Sequence, residues 1–383
     1  MTAERVGFRG RVILPDGVME DGLVLVQDER IEYVGPPVDD DRKMVQTDGF
    51  IWPGLIDVHI HGAGGADVMD GTPAALQTIS QSLVHYGVTG FLATTLTMDK
   101  PSLEQAVTNV VQMRDRLQGA QVLGIHMEGP WICPKFRGAQ NPRYIRDPHP
   151  EDADWAIEVC QGLLRLVTLA PERPRALEFI GKMVGWGVTV SVGHTDAAFE
   201  EVQRAVDIGA SHVTHCFNGM TGLHHRRPGA AGAALLDDRL TVECICDGLH
   251  VHPAVAKLLA KIKGKDRLIL ISDGMRAIGQ PEGRYELGGL PVEVKNGQAT
   301  LEDGSLAGSL LTLDEAVRNM AQFADIPLWE AVRMASLAPA KRLGLEEEIG
   351  SLEAGKKADL VVTDEACRVK QVWIEGKPVW EQG

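Results

Sequence analysis

The stretch LIDVHIHG, Leu55–Gly62, joins an apolar run to a glycine-rich loop and carries two histidines two residues apart. In an extended strand successive side chains alternate faces, so His59 and His61 project to the same side. They are either two ligands of one metal ion or two polar side chains near a strand end. What stands at the ends of the other strands decides between these, and decides the fold with it.

Seven more apolar, β-branched segments follow: VTGFLATT, VLGIHM, LLRLVTLA, VTVSV, HVTHCF, LTVECI and RLILIS. Helix-like stretches such as PSLEQAVTNVVQMRDRL, PRALEFIGKMVGWG and DAAFEEVQRAVDIGA lie between them, several closed by Gly. Eight strand–helix units predict an α/β fold, a (β/α)8 TIM barrel. A doubly wound sheet is the rival, but no G-x-G-x-x-G follows the first strand. The two ends of the chain read differently, as short strands separated by Asp-Gly and similar turns. Neither end alone holds enough for a core. They are expected to meet in a small β-sandwich domain, residues 1–53 plus 346–383, with the barrel, 54–345, inserted between them.

The 383 residues suit one large core plus a small domain, and 44% hydrophobic with 24% charged residues is ordinary for a soluble globular chain. A net charge of −15 argues against nucleic acid as a partner and makes any basic cluster informative. No apolar run approaches the roughly 20 residues that span a bilayer. The N-terminus lacks the apolar core of a secretory signal. Six cysteines without regular spacing do not resemble a disulfide framework. The expectation is a cytoplasmic protein with reduced thiols and no membrane partner. Cys244 and Cys246 read as small buried strand residues rather than metal ligands.

In such a barrel, catalytic residues stand at the C-terminal ends of strands. The first strand ends with His59 and His61, the third with Glu128, the fifth with His194, the sixth with His215 and the eighth with Asp273. Loop acids and packed histidines have no reason to recur at five strand ends of one barrel, so the set reads as a metal site. Imidazole and carboxylate ligands suit zinc, iron, cobalt or manganese. Few protein ligands leave room for water, whose pKa a bound ion lowers from about 15.7 toward 7. Asp273 is then a natural general base that later passes the proton to a leaving group.

The motifs PGLIDVHIHG, GIHMEGPWI, VGHT, THCFNGMTGLHHRRPG, CDGLHVHP, LISDGMRAIG and LAGSLLTLDEAVRNM together resemble the amidohydrolase superfamily. More closely they resemble the family of N-acetylglucosamine-6-phosphate deacetylases, in order and over nearly the whole chain. The resemblance implies hydrolysis of the acetamide of a phosphorylated amino sugar. The nearest alternatives are the galacto epimer and another amidohydrolase acting on an N-acyl amine. It also implies that Glu128, His194 and His215 hold the metal common to the family. His59 and His61 match ligands of a second metal that only some members carry, with Zn2+ or Fe2+ as the ion and Co2+ or Mn2+ compatible. Asp273 matches the catalytic acid/base and stands among the ligands. The fourth strand ends RLVTLAPE, without the lysine that bridges two metals in many amidohydrolases, so Glu128 is the expected bridge.

For the substrate, the basic cluster LHHRRPG fits phosphate capture, since arginine offers a planar fork to phosphate oxygens. By the resemblance Arg226 reaches the active site of a neighbouring subunit, implying a homodimer, and His225 assists. Asn218, Gly219 and His250 match substrate contacts, and Ala139, Leu306, Ala307 and Gly308 match the lining of the sugar pocket. Gln140 stands where many family members carry histidine. It can donate a hydrogen bond but cannot become cationic, which puts its polarisation of the acetyl group in question. His126 shares a face with Glu128 and reads as packed or supporting. LPVEVKNGQATL reads as a hairpin about Asn-Gly that helps cover the sugar site.

Overall fold

Eight parallel strands and the helices between them enclose the main core of the computed structural model, which describes residues 5–382. The barrel strands are Leu55–Ile60, Val88–Thr95, Gln121–Glu128, Leu164–Leu169, Thr189–Val192, His212–Val213, Thr241–Ile245 and Leu268–Ile271. They are the eight segments expected from the sequence, hydrogen-bonded in chain order. Nearly every residue in them is buried, because helices cover the outside and side chains fill the inside. That is why they read as continuous apolar runs rather than as alternating strands.

The ring closes where the eighth strand meets the first. The Asp273 N–H donates to the His59 carbonyl at 2.9 Å, and the His61 N–H donates to the Gly274 carbonyl at 2.9 Å. The closing seam therefore runs through the histidines and the aspartate singled out by sequence.

Both chain ends build one seven-stranded sheet. Its spatial order is Lys377–Glu381, Val369–Ile374, Leu360–Thr363, Lys43–Pro53, Arg5–Leu14, Gly17–Gln27 and Arg30–Gly35. The two ends meet where Leu360–Thr363 pairs antiparallel with Lys43–Pro53, with Val361 opposite Trp52. Strand alternation divides the work of the two faces. Trp52, Val361 and Val372 join the barrel core, while Phe8, Val24, Ile51, Leu360 and Val362 pack a second core on the other face. Residues 1–4 and 383, inside the bounds expected for the small domain, lie outside the described residues. No helix among the described residues is long and apolar enough to cross a membrane.

Asp359, just before Leu360, accepts the Glu375 N–H at 2.8 Å, and burial pushes its carboxyl up to about 6. An unfolded aspartate ionises near 3.9. The native state therefore holds this proton more tightly, and ionising Asp359 destabilises the fold as pH rises from about 4 through 6, by about 2–3 kcal/mol at neutral pH. Asp359→Asn should gain stability relative to wild type between pH 4 and pH 7. Urea denaturation at the two pH values measures this, and an Asn-minus-Asp difference that does not change with pH contradicts it.

The expected hairpin is present: Leu290–Lys295 and Gln298–Thr300 flank Asn296-Gly297, and Gly283–Leu287 adds a third strand. It packs on Leu96, Met275 and Ala307, directly above the C-terminal end of the barrel.

Candidate metal centre

Each of the five strand ends delivers its side chain to one place. His59 and Glu128 lie within their strands, and His61 follows the first strand directly. His194, His215 and Asp273 lie two residues past the fifth, sixth and eighth strands, with φ of 47°, 28° and 49°. Left-handed backbone is uncommon away from glycine and costs about 1–3 kcal/mol at each residue. These three side chains are therefore aimed by turns rather than by strand alternation.

Glu128 is the hub. Its Oε1 lies 3.0 Å from His194 Nε2, 3.1 Å from His215 Nε2 and 3.4 Å from His59 Nε2, and its Oε2 lies 3.3 Å from His61 Nε2. Asp273 Oδ1 stands 3.2 Å from His61 Nε2 and 3.4 Å from His59 Nε2. The opposite ring nitrogens all face oxygens. His194 Nδ1 meets the Phe136 carbonyl at 2.8 Å, and His215 Nδ1 meets the Asn218 carbonyl at 3.1 Å. His61 Nδ1 meets the Thr94 carbonyl at 3.3 Å, and His59 Nδ1 meets Glu243 Oε2 at 3.0 Å. An Nδ1–H donated outward leaves each Nε2 lone pair pointing inward, the tautomer a metal ligand needs. His194 Nε2 and His215 Nε2 lie 3.1 Å apart, and the buried His59 Nε2 has no hydrogen-bond partner. Converging lone pairs and two carboxylates fit divalent cations.

The electrostatics agree. Burial opposes charge on His59 and His61, but the surrounding carboxylates outweigh it. His59 is held well above the usual histidine value, and His61 is raised to about 9. Burial likewise opposes ionisation of Glu128, yet His59 and His194 hold its pKa well below the usual range. The carboxylates thus make the pocket favourable to positive charge.

A cavity of about 280 Å³ opens above this cluster, a volume at the small end for small-molecule pockets. His61, Glu128, His194, His215 and Asp273 form its floor, and Ala139, Gln140, Asn218, Gly219, His250, Leu306 and Gly308 line its walls. Asn218 brings a buried Nδ2 without a partner, and Asp247 orients His250 through a 2.6 Å contact to Nδ1. His59 lies fully buried beneath the floor, and Ala307 is buried in the hairpin core. His225 and Arg226 are not brought to this cavity. They sit on an exposed turn, and Arg226 lines a separate depression with Lys135 and Arg227.

Gln140 lines the cavity with both ends of its amide engaged. Its Oε1 accepts the Thr97 N–H at 2.7 Å, and its Nε2 donates to Glu128 Oε2. The side chain holds Glu128 rather than presenting a free donor. His126 is fully buried and bonds Thr168 Oγ1 at 2.8 Å through Nε2, beside the His59 ring. Sequence reasoning missed Glu243, Asp247 and Leu287. The signal for Glu243 was an acid in the middle of the apolar run LTVECI, overlooked for the cysteines beside it.

A family model described as the amidohydrolase family matches residues 50–379. An N-acetylgalactosamine-6-phosphate deacetylase of Escherichia coli O157:H7 is 40% identical over 369 residues, 96% of this chain and 97% of that protein. An N-acetylglucosamine-6-phosphate deacetylase of Bacillus subtilis (strain 168) is 40% identical over 370 residues, 94% of this chain and 92% of that one. Among solved structures, an N-acetyl-D-glucosamine-6-phosphate deacetylase mutant from Mycobacterium smegmatis, in complex with N-acetyl-D-glucosamine-6-phosphate, superposes with a TM-score of 0.93 at 34% identity. That match covers 99% of this chain and 100% of the other.

Proposed function

The chain belongs to the amidohydrolase family, and from that premise we propose that it hydrolyses N-acetylglucosamine-6-phosphate to glucosamine-6-phosphate and acetate. The observation that carries the reading is the convergence of Glu128, His194 and His215 on one point, with Asp273 facing the same cavity.

In this reading Glu128, His194 and His215 hold one divalent ion. His59 and His61 would hold a second, with Glu128 and Asp273 supplying carboxylate oxygens close by. Zn2+ or Fe2+ suits these donors, and Co2+ or Mn2+ is also compatible. The bound ion supplies Lewis acidity toward the acetamide oxygen and lowers the pKa of water. Asp273 takes a proton from the attacking water as the new C–O bond forms. It returns that proton to the nitrogen as the C–N bond breaks, so a neutral amine and acetic acid form, and the acid gives its remaining proton to solvent to leave as acetate. Asn218, Gly219 and His250 hold the sugar, and Ala139, Leu306 and Gly308 shape its pocket with the hairpin above them. Gln140 keeps Glu128 in place.

Arg226, with His225 beside it, serves the cavity of a second copy and grips the phosphate there, which makes the protein a homodimer. A barrel unit of residues 54–345, a small unit of 1–53 with 346–383 and a cytoplasmic location belong to the same reading.

Acetate release from the two phosphorylated epimers and from unphosphorylated N-acetylglucosamine tests the proposal. The phosphorylated gluco sugar should give the highest kcat/KM. The E. coli relative's name supports the galacto epimer as the second reading, and a higher kcat/KM on that sugar would establish it. Arg226→Ala removes a charge-assisted contact worth about 1.5–3 kcal/mol. It should raise KM for the phosphorylated sugar by about 10–100-fold and leave the unphosphorylated sugar unaffected. Equal losses on both sugars would remove Arg226 from phosphate capture.

A further inference from the structure

Glu243 lies in the seventh barrel strand, fully buried, with neither oxygen facing the cavity. Three hydrogen bonds converge on its carboxylate. Oε2 lies 3.0 Å from His59 Nδ1 and accepts the His215 N–H at 3.0 Å. Oε1 lies 3.0 Å from His212 Nε2, which keeps the group from rotating. One side chain thus grips the ring of one proposed ligand and the backbone of another.

The consequence for His59 follows from valence. A neutral imidazole has one N–H and one lone pair. Glu243 as a carboxylate offers only acceptor oxygens, so His59 Nδ1 is the donor in their contact. The lone pair then sits on Nε2, the buried atom without a partner, 3.4 Å from both Glu128 Oε1 and Asp273 Oδ1. Without Glu243 the ring is free to place its proton on Nε2 and donate it to either carboxylate, and that tautomer cannot bind a cation.

We infer that Glu243 is the positioning residue that sets the His59 tautomer and so determines whether the ion place at His59 and His61 fills. The inference rests on the metal-dependent reading above. It adds a determinant of ion count that touches neither substrate nor ion.

The test titrates Mn2+ into chelator-treated protein, comparing wild type, Glu243→Gln, His59→Gln and the double variant. Glu243→Gln should weaken one of two equivalents by about 10–100-fold and spare the other. It should lower kcat more than KM, and it should add nothing to the loss already present in His59→Gln. Equal affinities for both equivalents in wild type and Glu243→Gln overturn the inference. A wild type that takes up no metal overturns the proposed function instead. Nitrogen-15 NMR of histidine-labelled, zinc-loaded wild type decides the matter even where Glu243→Gln fails to fold. An Nδ1-protonated His59 is expected, and an unprotonated Nδ1 refutes the assignment.

Discussion

Asp273→Asn should lower kcat by about 10²–10⁴-fold, the contribution of a positioned general acid and base, while the equivalent held by Glu128, His194 and His215 stays at the wild-type level. The residue is 9% exposed, at the floor of the cavity. Burial raises its pKa, but the neighbouring His59 and His61 outweigh that and hold it below the usual aspartate value. It is therefore ionised at neutral pH and ready to accept a proton. Asparagine keeps the shape and loses the base. Because the proton moves only in the transition state, kcat and kcat/KM should fall together with KM little changed. Steady-state kinetics beside elemental analysis make the measurement. A variant that retains most of its kcat would end the role assigned to Asp273.

Glu128→Gln should be as severe through a different route. Among the described residues the carboxylate is the only anion that touches all four of these histidines, through Oε1 to His59, His194 and His215 and through Oε2 to His61. An amide has one acceptor oxygen, and its NH2 would face either a histidine lone pair or the Gln140 Nε2 that now donates to Oε2. Loss of the charge removes the main attraction for a cation. Metal content should drop below one equivalent per chain. Turnover should fall by about 10³-fold or more, as expected when several kcal/mol of electrophilic stabilisation is removed. Circular dichroism should stay that of the folded barrel. Undiminished metal uptake by Glu128→Gln would show that the histidines alone hold the ion.

Much of this architecture was legible because barrel strands are buried on both faces and announce themselves as apolar runs. A histidine or acid at the end of such a run stands out, as His59, His61, Glu128, His194, His215 and Asp273 did. What the linear pattern does not carry is the turn geometry. His194, His215 and Asp273 were found by their place after apolar runs, yet positive φ angles past the strand ends are what aim them. Long-range pairing is equally hidden. Gln140 was read as facing the acetyl group, and its partners Thr97 and Glu128 come from two other strand ends. Glu243 escaped notice because an acid inside an apolar run has meaning only once its donors, on three other strands or loops, are known. Arg226 was matched to the site by resemblance alone, and within its own chain it lies outside the cavity.

The closing seam of the barrel also bears on how the protein is made. His59 leaves the ribosome early and Asp273 late, with almost the whole barrel sequence between them, yet their backbones bond directly. The His59 and His61 place is therefore complete only when the last strand docks on the first. A nascent chain would have no finished chelator to offer there, and any ion at this place would bind only after the first and last strands have met.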